Sequence, residues 1–270
     1  LENESNYFRN RQRLRRIYTS AISELIAGPY ADCSGAKSVR RKACIRLHRL
    51  SASYDAKRFE DNSGIFNYEV DREIILELVG MAAPAQVLDL PTGTGRVLDY
   101  LSDLDVRVIG CDATQSMLDI AAKRMTPEKH SLLMADAAEL PFDDESQECI
   151  ISLRFFHLFE EETRRRFTRE FERVLKQGGH VICSFTNGWY CGGVNWAKRG
   201  IGYRTVYFEH RGELKRLFPN FHVRALRGNF LPLQNRVSRS SMVGRALRRL
   251  TSSFPLNHVC WEKFYLLQKP

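Results

Sequence analysis

At 270 residues, 43% of them hydrophobic, the chain is long enough to bury one full α/β core, and its composition excludes a fibrous or disordered protein. No apolar run approaches the roughly 20 residues of a membrane-spanning helix, and residues 1–30, rich in Arg, lack the continuous apolar segment of a secretory leader. The net charge of +9 points to an anionic contact or a solvated basic face and says little about fold.

Residues 1–50 hold eleven Lys and Arg against four Asp and Glu. Within them, Tyr7 to Ala27 has helical apolar spacing in Ile17, Ala21, Ile22, Leu25 and Ile26, and Gly28-Pro29 stops it. Lys37 to Leu50 reads as a second basic helix. There is no repeat and no long low-complexity linker, so residues 1–80 read as a helical, basic cap on a core spanning 81–270. Val70 to Val79 reads as the helix leading into the first strand.

Val87-Leu88-Asp89-Leu90 then ends an apolar run in an acid, followed by Pro91-Thr92-Gly93-Thr94-Gly95 and a helix-like stretch from Val97 to Leu104. Strand, glycine turn and helix open a nucleotide-binding α/β unit. Glycine permits positive φ and close backbone approach, and the helix start presents unpaired N–H groups. Val106 to Cys111 reads as a second buried strand. It ends in Asp112, about 20 residues beyond the turn, where a ribose-binding carboxylate is expected. The competing role for Asp112 is to cap a helix from Ser116 to Met125; the glycine loop upstream favours ribose.

Ser131 to Phe142, containing Asp136 and Ala137, is the third element, and Cys149 to Leu153 the fourth. Arg154-Phe155-Phe156-His157 follows, then a helix from Glu161 to Leu175, Gly178-Gly179, and a fifth strand from His180 to Phe185. Beyond it the pattern loosens. Segments at about 186–215 and 232–258 read as substrate-side insertions, the first holding Trp189, Tyr190, Trp196 and an added strand at Tyr203 to Phe208, the second overlapping a basic block that runs from Arg224 to Arg249. Glu213 to Leu217 reads as a short helix after Gly212. Phe221 to Arg227 and Cys260 to Leu267 read as a closing antiparallel pair.

The seven cysteines are odd in number and contain no C-x-x-C, so they read as reduced thiols of a cytoplasmic protein without a zinc site. Three of them, Cys111, Cys149 and Cys183, fall in predicted strands, where a thiol packs as a small apolar group.

The order of glycine loop, acid, Asp-Ala, post-strand His and helix-Gly-Gly-strand resembles class I S-adenosylmethionine (SAM)-dependent methyltransferases, and most of all the group that includes ubiquinone and menaquinone methyltransferases. The resemblance covers roughly Ser53 to Phe185. It implies a doubly wound, mostly parallel seven-stranded Rossmann-like sheet with SAM as cofactor and S-adenosylhomocysteine as product. It further implies that Asp89 and the loop through Pro91, Thr92, Gly93 and Gly95 hold the methionine end. Asp112 takes the ribose, with Ala113 beside it, and Met117 packs on the adenine. Asp136 accepts from the adenine amino group, Ala137 donates to the ring, and backbone near Leu153 faces the methionine ammonium. Tyr54-Asp55-Ala56-Lys57-Arg58-Phe59 resembles the segment that folds over the cofactor, with Tyr54 covering the site and Arg58 meeting the methionine carboxylate, or with Tyr54 and Phe59 packing the cap onto the sheet. Pro91 stands where the commoner loop has its first glycine, which argues against a dinucleotide dehydrogenase.

Methyl transfer from a sulfonium needs an oriented nucleophile, exclusion of water and, for some acceptors, a base. His157, at the edge where doubly wound sheets bind ligands, is the candidate base; the alternative is packing against Phe155 and Phe156. Arg154 offers a charge to an anionic acceptor or to an acid of the cap, and Trp189, Tyr203 and Tyr207 offer flat walls for an acceptor. The motifs of amino-methylating DNA enzymes, cytosine C5 enzymes and metal-dependent catechol enzymes are missing, which leaves metal-independent methylation of a small or lipid-linked acceptor. The basic segments suggest peripheral contact with an anionic membrane ahead of RNA. An RNA methyltransferase and a catalytically silent SAM-binding partner are the competing functions, and oligomeric state is left open.

Overall fold

The computed structural model describes residues 62–159, 161–187, 212–229 and 260–270. Tyr54, Arg58, Trp189, Tyr203, Tyr207 and most of both basic segments lie outside these residues, as do the cap ahead of Asn62 and the bulk of the two expected insertions.

Helix α1 spans Asn62–Ala82. Its Val70, Ile74, Ile75, Leu78 and Val79 recur at helical spacing and are buried. The helix ends where Ala83 turns to φ +47°, its N–H donating to the Val79 carbonyl, ahead of Pro84, which cannot continue it. Next come β1 (Gln86–Asp89), α2 (Arg96–Leu101), β2 (Arg107–Asp112) and α3 (Gln115–Ala121), the last running into a 3₁₀ turn at Ala122–Arg124. Then follow β3 (His130–Met134), β4 (Gln147–Ser152), a 3₁₀ turn at Phe156–Leu158 and α4 (Glu161–Val174). Strand β5 (Leu175–Thr186), α5 (Glu213–Leu217), β6 (His222–Asn229) and β7 (Glu262–Gln268) complete the set.

The strands form one seven-stranded sheet in the order β3-β2-β1-β4-β5-β7-β6. Neighbours from β3 through β5 are parallel, and β7 runs antiparallel to both β5 and β6. This is the expected doubly wound architecture. The predicted closing pair is present, with β7 inserted between β5 and β6. The central strands β1 and β4 hold continuous apolar runs, Val87-Leu88 and Cys149-Ile150-Ile151 being fully buried, as strands covered on both faces require, whereas the edge strand β3 leaves Leu133 and Met134 exposed.

One side of the sheet packs Val87, Val108, Ile151, Ile182, Phe264 and Leu266 against α1 and α2. An aromatic cluster gathers around the turn after β4: Phe156 stacks on Phe185 with ring centroids 5.2 Å apart, and Phe155 lies 4.8 Å from Phe167 of α4. Cys111, Cys149, Cys183 and Cys260 are buried thiols with no disulfide among them. No helix among the described residues is long and apolar enough to cross a membrane.

Several elements differ in extent from the sequence reading, α1 among them, which begins at Asn62 ahead of the expected Val70. The third strand stops at Met134, because Asp136 and Glu139 form their own bridge across a turn. The helix after β2 tightens to 3₁₀ at Ala122. Strand β5 begins at Leu175 directly after α4, carrying the Gly178-Gly179 pair within it: Leu175 pairs with Gln147, and after an irregularity His180 pairs with Cys149. Gly178, at φ +75°, supplies the turn this needs.

Gly95 precedes α2 at φ +79°, and a Cβ there would stand 2.9 Å from the Ala121 Cα. Gly95→Ala therefore combines backbone strain with a clash against backbone, and should cost at least about 1–2 kcal/mol in urea unfolding. A loss below a few tenths would mean that α2 and α3 shift apart freely.

Candidate functional site

In an open α/β sheet, ligands bind beyond the carboxyl ends of the strands where the winding reverses. Here that point lies between β1 and β4, since β1 pairs with β2 on one side and β4 on the other. Asp89 ends β1, Asp112 ends β2 and Ser152 ends β4, so the three polar residues arrive at one edge.

The loop after β1 is held by backbone bonds to both neighbouring strands. Leu90 N–H donates to the Ile151 carbonyl at 2.9 Å and Thr92 N–H to the Cys111 carbonyl at 2.7 Å. The Leu90–Pro91 peptide is cis, and Gly93 has φ +54°. A Cβ on Gly93 would meet nothing within 4 Å, so glycine is needed there for its backbone angle, and the space beside it is open.

Asp112 ties this loop to β2. Its Oδ2 accepts the Gly93 N–H at 3.0 Å, and its Oδ1 accepts the Thr114 N–H at 3.0 Å and the Thr114 hydroxyl at 2.8 Å. The residue capping α3 is Thr114, not Asp112. Burial raises the Asp112 carboxyl above its ordinary range, against the pull of Thr114, Gly93 and Ala113. Each carboxylate oxygen can accept more than one bond, so ribose hydroxyls can be received in addition.

Asp89 is 1% exposed and its Oδ2 has no hydrogen-bond partner. Burial pushes its carboxyl up to about 7; Thr92 and Arg96 pull it down, and Asp112 adds to the rise. The Ser152 hydroxyl, on the neighbouring strand end, is likewise buried without a partner. Unpaired buried acceptors cost free energy unless a ligand uses them. A carboxylate and a hydroxyl beside a glycine loop suit the cationic methionine end of SAM, so these residues fit the group.

Of the residues that the resemblance assigns to the adenine, Met117 and Ala137 are buried. Asp136 Oδ1 accepts the Ala138 N–H at 2.8 Å, shaping the turn after β3. Leu153 is half-buried against the core. His157 is buried in the 3₁₀ turn after β4. That turn is fixed by the aromatic cluster on both flanks and by Arg164 Nε, which donates to the Phe159 carbonyl at 2.8 Å. Phe155 and Phe156 pack with Phe159, Phe167 and Phe185 around the turn that carries His157, which follows the carboxyl end of β4.

Arg154, offered by the sequence to an anionic acceptor or to an acid of the cap, is engaged within the protein, and one of its partners, Asp71, lies in the 1–80 stretch read as the cap. Its Nη2 donates to Asp71 and its Nε to Glu262. Asp71, Arg96, Glu262 and Ser152 had no assigned role in the sequence reading. Two left a trace: Asp71 falls on the helical spacing of Ile74, Ile75 and Leu78, and Glu262 alternates in step with Phe264 and Leu266. A charge at a core position needs a buried partner.

Glycine loop, paired acids and strand order together make a Rossmann-like methyltransferase fold. Residues 87–179 match a family model described as a methyltransferase domain. A demethylmenaquinone methyltransferase of Thermotoga maritima is 34% identical over 53% of this chain and 61% of its own length. A malonyl-[acyl-carrier protein] O-methyltransferase of a Marinomonas species is 31% identical over 55% of this chain and 53% of its own. The chain thus spans a little over half the length of these relatives. Among solved structures, a SAM-dependent methyltransferase of Thermotoga maritima superposes with a TM-score of 0.58 at 18% identity, covering 83% of this chain and 98% of the other, a likeness of fold. Over residues 87–179 the chain is similar to a methyltransferase domain, and its fold is that of these neighbours.

Proposed function

We propose that the protein transfers a methyl group from SAM to a small or lipid-linked acceptor. The observation that carries this reading is the pair of unpartnered buried groups, Asp89 Oδ2 and Ser152 Oγ, at adjacent strand ends beside the glycine loop. When bound, SAM supplies an electrophilic methyl on a sulfonium. The chain's own residues do the rest. Asp89 and the backbone near Leu153 hold the methionine end, and Asp112 holds the ribose. Asp136 and Ala137 address the adenine, with Met117 packed beneath. His157 takes a proton from the acceptor nucleophile. The acceptor class is supported by relatives that bear the names of a menaquinone-precursor and an acyl-carrier-linked methyltransferase. With Arg154 engaged by Asp71 and Glu262, an anionic acceptor finds no support from that residue.

Calorimetry with S-adenosylhomocysteine tests the reading. The folded chain should bind it, and Asp112→Ala should weaken binding by about 1–3 kcal/mol, the range for hydrogen bonds to a charged group. Undetectable binding by folded protein would remove the cofactor assignment. Binding without methyl transfer to any quinol, thioester-linked or RNA acceptor would favour a silent SAM-binding partner.

A further inference from the structure

Arg154 has φ +54°, a backbone angle that residues bearing a side chain seldom adopt. Such conformations persist where the surroundings over-determine them, and they concentrate at functional sites. Here three separate elements supply the constraint. Ser184 Oγ of β5 accepts the Arg154 N–H at 2.8 Å, Glu262 Oε2 of β7 accepts Nε at 2.8 Å, and Asp71 Oδ2 of α1 accepts Nη2 at 2.5 Å. Asn229, the last residue of β6, donates to the other oxygen of Asp71. Arg96 of α2 approaches Asp71 to 3.9 Å, and its charge also acts on Asp89.

The side chains of Asp71 and Glu262 are 1% and 5% exposed. Ion clusters this deep are often no more stabilising than apolar packing, so fold stability is a weak reason for them. Their placement gives a better one. All the bonds converge on the residue that lies between Leu153, whose backbone is assigned to the methionine ammonium, and the turn that carries His157. The guanidinium is used as a rigid fork in two directions, which a lysine cannot reproduce.

We propose that Arg154 is a positioning residue: clamped between α1 and β7, it fixes the turn after β4 in the shape that receives the methionine end of the cofactor. The inference rests on the SAM-dependent reading above and replaces acceptor binding as the role of this side chain.

The test compares S-adenosylhomocysteine affinity and Tm for the natural protein, Arg154→Lys, the charge-balanced pair Arg154→Gln with Glu262→Gln, and Lys269→Met. The last removes a buried ammonium that donates to the Glu172 and Leu175 carbonyls at the opposite, amino-terminal end of β5. Both Arg154 variants should bind at least about tenfold more weakly, because a site loosened by an ångström loses its pre-organisation. Lys269→Met should lower Tm yet leave affinity within about twofold. Arg154→Lys, which keeps the charge, decides alone if the double variant does not fold. Natural affinity in a folded Arg154 variant, or an equal loss in Lys269→Met, overturns the proposal while the cofactor reading stands. Absence of binding by the natural protein removes both.

Discussion

Affinity for S-adenosylhomocysteine should rise by up to about tenfold per pH unit between about pH 5 and about pH 7, then level off. The cause is Asp89. Its carboxyl is 1% exposed, one oxygen lacks a partner, and burial pushes its pKa up to about 7. The ligand's ammonium, which stays protonated across this window, favours the carboxylate. Below about pH 7, binding must therefore expel a proton, and each unit of acidity weakens it. Asp112, also raised by burial, titrates in the same direction, so the diagnostic variant is Asp89→Asn. It should flatten most of the profile and cost about 1.5–3 kcal/mol of affinity at about pH 8.

Stability should change in the opposite sense. Between about pH 4 and about pH 7 the unfolded chain has released the Asp89 proton while the folded chain retains it, so ligand-free stability falls as pH rises through this window. Above it the full cost is present, on the order of a few kcal/mol at about 1.4 kcal/mol per pKa unit. Asp89→Asn should accordingly be more stable than the natural protein at about pH 8 and nearly equal at about pH 4, by urea unfolding without ligand. A flat affinity profile in the natural protein, or a less stable asparagine variant at the higher pH, would show that Asp89 ionises freely and is not held for a cation.

His157→Ala should lower turnover by about 10²–10⁴-fold once an acceptor is in hand, with little change in cofactor affinity. The imidazole sits in a turn locked by Phe155, Phe156 and Phe159 and by the Arg164 bond to the Phe159 carbonyl, so the variant should leave the backbone in place. A base acts in the transition state, so the loss belongs to kcat more than to cofactor binding. Unchanged turnover would assign His157 to packing and leave catalysis to orientation alone.

Much of the fold was legible because its signals are local. The apolar run ending in Asp89, the glycines and the approach to Asp112 specify strand, turn and strand through backbone sterics and burial, which act over a few residues. The β6–β7 pair was legible for the same reason. Boundaries were less so. Ladder bonds to Gln147 extend β5 back to Leu175, and the Asp136–Glu139 bridge ends β3 early; both depend on partners far along the chain or on a competing turn.

The sequence by itself determined the glycine loop after the first strand, the two acids at the strand ends, the alternation of strands and helices and the position of His157 after the fourth strand. Only the tertiary structure decided what the charges do. Arg154 finds Asp71 83 positions upstream and Glu262 108 positions downstream, a meeting made when β7 inserts beside β5 and α1 crosses the same edge. Periodicity reports which face of an element is buried. It carries no information on which buried charges from distant elements will share one dry volume, and in such a volume the partner, not the residue type, sets whether an arginine binds a ligand or shapes the site that does.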